Sequence, residues 1–221
     1  MLPLLIFYKI YSIIYLENKV RLKMKTYKWG VTSEGEKELS VVLFISRNKD
    51  NKSVPDFKER SYSFIISDSE PTNNLIKDFS NFVNKGVPGE VSRLYFSINT
   101  RDRNKVQKDL IHFLIDEPNF DLTSINSKLA GIAMKKENAL TKKWMFDFDI
   151  NDLNAVEDFV KDIKSIDENI KVQFASTKNG YVVITNRGFD TRELFKKWDP
   201  KEVNLKRDGM KLIDWDMKDG K

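Results

Sequence analysis

Asp147 and Asp149 stand two apart in KWMFDFDI (143–150), a segment otherwise dominated by apolar and aromatic residues. On an extended strand this spacing turns both carboxylates to one face and sends Phe146, Phe148 and Ile150 to the other. Side-by-side carboxylates repel each other and lose hydration when covered, so the pair asks for a divalent cation or for cationic partners. Oxygen-only ligation is what Mg²⁺ or Mn²⁺ takes. Two such ions can activate a nucleophile and stabilise the leaving oxygens of a phosphoryl transfer. The plain alternative is a solvated pair at the edge of a strand.

Two further segments carry polar chemistry. In FASTKNGYVVIT (174–185), Ser176, Thr177, Lys178, Asn179 and Gly180 read as a tight hairpin, with Asn-Gly a favoured two-residue turn. Hydroxyls, backbone N–H groups and one mobile cation also suit a nucleotide's phosphates. In LIDWD (212–216), Asp214 and Asp216 again alternate onto one face of a late strand. Spacing alone does not choose which of them would join Asp147 and Asp149 as a third metal carboxylate. A polar C-terminal tail is the simpler reading of the same residues.

The elements that must position these groups follow from periodicity. Segments 38–47, 62–67 and 93–99 read as strands, and residues after Pro71 and Thr72 read as a helix with Leu75, Ile76, Phe79, Phe82 and Val83 recurring at helical spacing. A second helix covers 102–116, with His112 off its apolar stripe, and a shorter helical stretch runs over 122–134. From 143 onward the order is strand (143–150), helix (153–166), strand (170–176), strand (181–185), short helix after Asp190, and one or two strands around Asp208 and Gly209. This β-α-β-β-α-β order predicts an α+β protein. It has an αβ module over 24–142 packed on an RRM-like palm unit over 143–221, with a mainly antiparallel sheet and helices on one face.

The strand ending MFDFD, the following ST-x-NGY hairpin and the later apolar-Asp strand LID together resemble the three motifs of the archaeo-eukaryotic primase superfamily, especially small phage and plasmid primase-polymerases. The resemblance covers roughly 143–216. It implies DNA-template-directed nucleotidyl transfer in DNA replication, with nucleoside triphosphates as substrates and a helicase as a further partner. It puts the catalytic metal acids at Asp147, Asp149 and Asp214, less surely Asp216, and nucleotide contacts at Ser176, Thr177, Lys178 and Tyr181. Where the family's second motif has a His, this chain has Val182. A primase-type fold that binds nucleic acid or a host protein without catalysis is therefore the first alternative. FDFDINDL also resembles the nucleophile motif of haloacid-dehalogenase-like phosphatases, in which the first Asp attacks phosphate. Against that reading, the motif comes late in the chain and Ile150-Asn151 replaces the usual Gly-Thr.

Composition narrows the classes. The 221 residues are 40% hydrophobic and 32% charged, enough apolar material for a folded core, and the absence of Cys excludes disulfides and Cys-based zinc sites and fits a reducing, cytoplasmic compartment. With a single His, His112, the usual His-containing triads would have to be built around that residue. Of the net charge of +5, +3 falls in the first 23 residues, so the body is only mildly basic and any nucleic-acid contact must be a local patch. Lys135, Lys136, Lys142 and Lys143 form one candidate; Lys201, Lys206, Arg207 and Lys211 form another. The apolar stretch 1–23 is interrupted by Lys9, which fits poorly with stable membrane insertion or a signal peptide. A membrane-surface helix, a docked helix and residues ahead of a start at Met24 remain, and the last is preferred.

Overall fold

The computed structural model describes residues 14–16, 19–21, 38–177 and 180–219. Strands β1 (Ile14–Leu16) and β2 (Lys19–Arg21) form an antiparallel pair, so this part of the N-terminal stretch is extended where a helix was one expectation. The other residues of 1–23 lie outside the described ones. Two larger sheets follow, and every pairing in them is antiparallel. The parallel sheet that the phosphatase reading needs is not found among the described residues.

The first sheet has the order β11-β5-β3-β4, built from β3 (Glu38–Ser46), β4 (Arg60–Ile66), β5 (Val91–Ser97) and β11 (Met210–Met217), with the short β6 (Arg101–Asp102) pairing to β3. Both of its faces are covered. Helix α1 (Asn73–Asn84) starts at Thr72, whose hydroxyl accepts from the Leu75 N–H, and buries Leu75, Phe79 and Val83 against Val42, Phe44, Leu94, Phe96 and Ile213. On the opposite face, Val106 of α2 (Arg103–Asp116) and Ala130, Ile132 and Ala133 of α3 (Ile125–Ala133) close over Leu39 and Val41.

The second sheet has the order β10-β7-β9-β8, from β7 (Trp144–Phe148), β8 (Val172–Ser176), β9 (Tyr181–Thr185) and β10 (Val203–Lys206). Helix α4 (Leu153–Ile166) joins β7 to β8, and α5 (Leu194–Lys197) lies between β9 and β10. The β-α-β-β-α-β order is thus complete by Lys206. Asp152 caps α4 by accepting from the Asn154 N–H, and Val156, Phe159 and Ile163 recur on its buried stripe. They meet Phe146, Phe148, Val183 and Val203, with Phe159 edge-on to both Phe146 and Trp198. Each fully buried side chain of this cluster, Trp198 being only partly buried, contributes roughly 1.5–3 kcal/mol of burial energy.

One expectation is corrected. The sequence order puts the strands around Asp208 and Gly209 in the same unit, 143–221, as the acidic strand, yet β11 pairs with β5 along the edge of the first sheet, from Met210 opposite Ser97 to Met217 opposite Val91. The reason lies in the turn after β10. Arg101, with no exposed side-chain surface, donates to both carboxylate oxygens of Asp208 at 2.7 and 2.9 Å. Asn99 Nδ2 donates to Asp208 Oδ1 and to the Lys143 carbonyl, while Asn99 Oδ1 accepts from the Lys143 N–H at 2.7 Å. This hub pins the turn against the end of β5 and the lead-in to β7, and sends the chain back along the first sheet. The unit begun at 143 therefore gives up its C-terminal strand to the module before it. No helix among the described residues is long and apolar enough to cross a membrane.

Arg101 cannot lose its charge, and removing one partner of a buried ion pair costs about 3–5 kcal/mol. Asp208→Ala is expected to lower stability by that order. Arg101→Met should cost clearly less, because Asp208 is partly exposed and keeps the Asn99 and Gly209 donors. Urea unfolding midpoints of the two variants check the asymmetry; equal losses would contradict it.

Candidate functional site

On β7, alternation sends Phe146 and Phe148 into the helix-side core and leaves Met145 and Asp147 on the opposite face. Across the sheet Asp147 faces Asn204 on β10 and Val182 on β9. Met145, Val182 and Ala175 form an apolar floor with Ile98, which comes from just beyond β5. This is the junction of the two sheets. Val182, at the place of the expected imidazole, buries its isopropyl group in that floor. His112 is exposed on α2.

The acids do not gather. Asp147 Oδ2 accepts from Lys206 Nζ at 2.7 Å, and the two side chains are 39% and 41% exposed. A pair so open to water contributes little to stability, but it supplies a cation where a metal was expected. Asp149 follows the end of β7, is exposed, and has its N–H donating to the Glu202 carbonyl. Asp214 and Asp216 stand on β11 in the first sheet, after a register shift between Leu212 and Asp214, and each accepts from the next residue's N–H. Among the described residues, no group of three or more His, Cys, Asp or Glu side chains could hold a metal ion.

The hairpin residues divide. Ser176 and Tyr181 are paired across β8 and β9, and Tyr181 packs against the helix-side core, on the face away from Asp147. Thr177 donates its N–H to the Gly180 carbonyl at 2.7 Å. A Cβ on Gly180 would fall 2.1 Å from the Phe148 carbonyl oxygen, so this turn needs glycine for close approach. Lys178 lies outside the described residues.

The basic residues fare differently. Lys142 and Arg207 are exposed, and Arg207 lies with its guanidinium 5.4 Å from the centre of the Trp144 ring. Lys143 enters β7 clamped by Asn99, and burial pushes its ammonium pKa down while Glu38 and Glu70 hold it up. Lys211, near the start of β11, has the Cα position opposite Phe96. Burial first, then repulsion from Lys143, push its pKa down to about 8 against the attraction of Glu70. Lys206, Arg207 and Lys211 thus flank the turn fixed by Asp208, with Lys142 and Lys143 across from it. Lys143, Lys206, Arg207 and Lys211 all occur in basic runs visible in the sequence, but the burial of Lys211, the clamp at Asn99 and the Arg101–Asp208 pair carry no local signal there.

No family model, curated protein or solved structure matches this chain.

The depressed pKa of Lys211 fixes the sign of its effect on stability. Folding is penalised below about pH 8, where the group must be charged, and the penalty fades as pH rises toward the ordinary value of 10.5. Lys211→Met should therefore stabilise the fold by ~2 kcal/mol at pH 7, an advantage that shrinks as pH approaches 10.5. Urea titrations at the two ends of this range check it. A destabilised variant at pH 7 would mean that the ammonium is better satisfied than its surroundings indicate.

Proposed function

We propose that this chain binds nucleic acid at the junction of its two sheets and does not carry out nucleotidyl transfer. The observation behind this reading is the Lys206–Asp147 ion pair, in which a side-chain cation meets the carboxylate that a catalytic metal would need. Asp214 and Asp216, the candidates for a third metal acid, stand on the other sheet. The sequence resemblance to primase-polymerases enters as a likeness of element order and motif spacing, with a carboxylate pair and a histidine as the parts that chemistry would require.

Binding is supported by what surrounds the pair. Lys142 and Arg207 offer exposed cations to a phosphate backbone, and the Arg207 guanidinium lies 5.4 Å from the centre of the Trp144 ring. Phosphate contacts of this kind position a strand without reading its sequence, and they release counterions, so affinity falls steeply with salt. With a body only mildly basic overall, such a local cluster is where a DNA strand would be held. A phage or mobile-element factor that acts on DNA by binding fits this chemistry.

Fluorescence anisotropy with labelled single-stranded DNA tests the reading. The Lys142→Ala, Arg207→Ala double variant should bind at least fivefold more weakly at about 0.1 M salt. Its slope of log affinity against log salt should be shallower by about 1.4, two lost phosphate contacts on a single strand. In parallel, manganese-supported nucleotide incorporation should be no higher for the wild type than for Asp147→Asn, Asp149→Asn. Incorporation that is lost in that variant would overturn the non-catalytic reading and restore a primase-polymerase using Mg²⁺ or Mn²⁺ and nucleoside triphosphates.

A further inference from the structure

The edges of the two sheets are not protected alike. On β4, Tyr62 and Ser63 meet α3 through hydrogen bonds with Asn126 and Ser127. A register shift interrupts β11, which also carries Asp214 and Asp216, and β10 carries Lys206. Covers, bulges and charges of this kind keep an edge from pairing with another chain. The outer strand β8, VQFAS, has no charge, proline or bulge, and it pairs regularly with β9 from Val172 to Ser176. The phase of that ladder fixes which groups point outward. Thr177 donates its N–H to the Gly180 carbonyl and Asn186 donates to the Lys171 carbonyl, so within β8 it is Gln173 and Ala175 that bond to β9. The N–H and C=O groups of Val172, Phe174 and Ser176 face away from the sheet, and among the described residues no hydrogen bond reaches them. Phe174, on the helix side opposite Val183, leaves 40% of its surface open at the same edge.

The helix above this edge has two unlike flanks. On one, Asp162 of α4 accepts from Lys197 Nζ and Trp198 Nε1, and the Trp198 ring packs on Phe148 of β7, so this flank turns toward the middle of the sheet. The opposite flank therefore turns toward β8. At 3.6 residues per turn it carries Glu157 and Lys164, both exposed, with the partly buried Val160 between them. Lys164 donates to the carbonyl of Glu168 in its own chain. An acid and a base two turns apart on one flank are self-complementary when two such helices run antiparallel, because each acid then lies opposite the other helix's base.

We propose that β8 pairs antiparallel with β8 of a second copy of this chain, about a two-fold axis at Phe174. The Phe174 N–H and C=O meet those of Phe174 in the second copy, and Val172 meets Ser176 on either side, so every outward group of the strand gains a partner. The axis stands perpendicular to the sheet, which keeps the helices of both copies on one side. There the two Phe174 rings cover each other, and Glu157 of each α4 lies opposite Lys164 of the other. The faces that carry Asp147 lie together on the other side. The pairing stands independently of the nucleic-acid reading, since none of its contacts uses the junction of the two sheets.

Sedimentation velocity on the full chain over a concentration series is the test. The wild type should pass from the 25.9 kDa species to twice that mass as concentration rises through about 10 µM, an affinity suited to a small interface. Phe174→Pro removes the ring and an N–H that faces away from β9, so it spares the ladder within the chain and should stay monomeric. Glu157→Lys sets like charges against each other at both copies of the contact and should weaken the dimer by about fivefold or more. The exchange Glu157→Lys, Lys164→Glu should restore it, and thermal melts of all variants confirm folding. A wild type still monomeric at about 1 mM would overturn the self-pairing and leave this edge to an extended segment of another protein. A Phe174→Pro variant that dimerises like the wild type would put the contact elsewhere, and a Glu157→Lys dimer of undiminished strength would overturn the antiparallel arrangement.

Discussion

A guanidinium with no contact with water must be answered by acceptors fixed in the right place, because arginine cannot escape the cost by losing its proton. Arg101 imposes that constraint here. Both its terminal nitrogens donate to Asp208, 107 residues further along the chain, and Asn99 ties the same carboxylate to the backbone of Lys143. Three segments thus meet at one charge: the end of the β5 region, the lead-in to β7 and the turn between β10 and β11. The two sheets are built from separate cores, one around Phe79 and Leu94 and the other around Phe146 and Phe159. Their register at the junction depends on a polar hub, with the small Ile98–Met145–Val182 cluster beside it.

The hub also decides where charge can be placed. The helix-side face of the second sheet is consumed by rings: Phe146, Phe148, Phe159 and Trp198 stack edge-on or tilted within 5.2–5.5 Å. Polar function is confined to the other face and to the loops that Asp208 holds. There Asp147 is answered by Lys206, while Lys143 and Lys211 are brought close enough to repel. Of the cations around this turn, Lys142 and Arg207 are the exposed ones. Asp214 and Asp216 stand on the first sheet because the chain leaves for it right after Asp208.

Local structure was legible wherever one segment's own periodicity decides it. The stripe Val156–Phe159–Ile163 predicted the helix over 153–166, YVVIT predicted the strand over 181–185, and Thr72 marked the start of α1. The α+β class followed from the same patterns. What was not legible is partnership. MKLIDWDM alternates equally well in either sheet, and the choice is made by a buried pair whose members look like ordinary charged residues in sequence. The placement of Tyr181 failed for a related reason: aromatic residues on strands serve cores more often than ligands, and this one packs on the helix side. Lys211 was visible only as one lysine of a basic run, since nothing local marks a lysine that its neighbours will enclose.

The resemblance to primase motifs can be divided on physical grounds. Gly180 is required because its backbone passes against the Phe148 carbonyl, and Phe146, Phe148 and Tyr181 are required by the core behind the sheet. These parts of the pattern specify a hairpin packed tightly beside an aromatic strand, and folding alone accounts for them. The parts that chemistry would need are an imidazole opposite Asp147 and a third carboxylate beside it. At the first position Val182 fills an apolar floor, and at the second a lysine from β10 reaches the carboxylate. The packing half of the pattern is therefore intact, while the acid on its polar face is paired with a side chain of its own sheet.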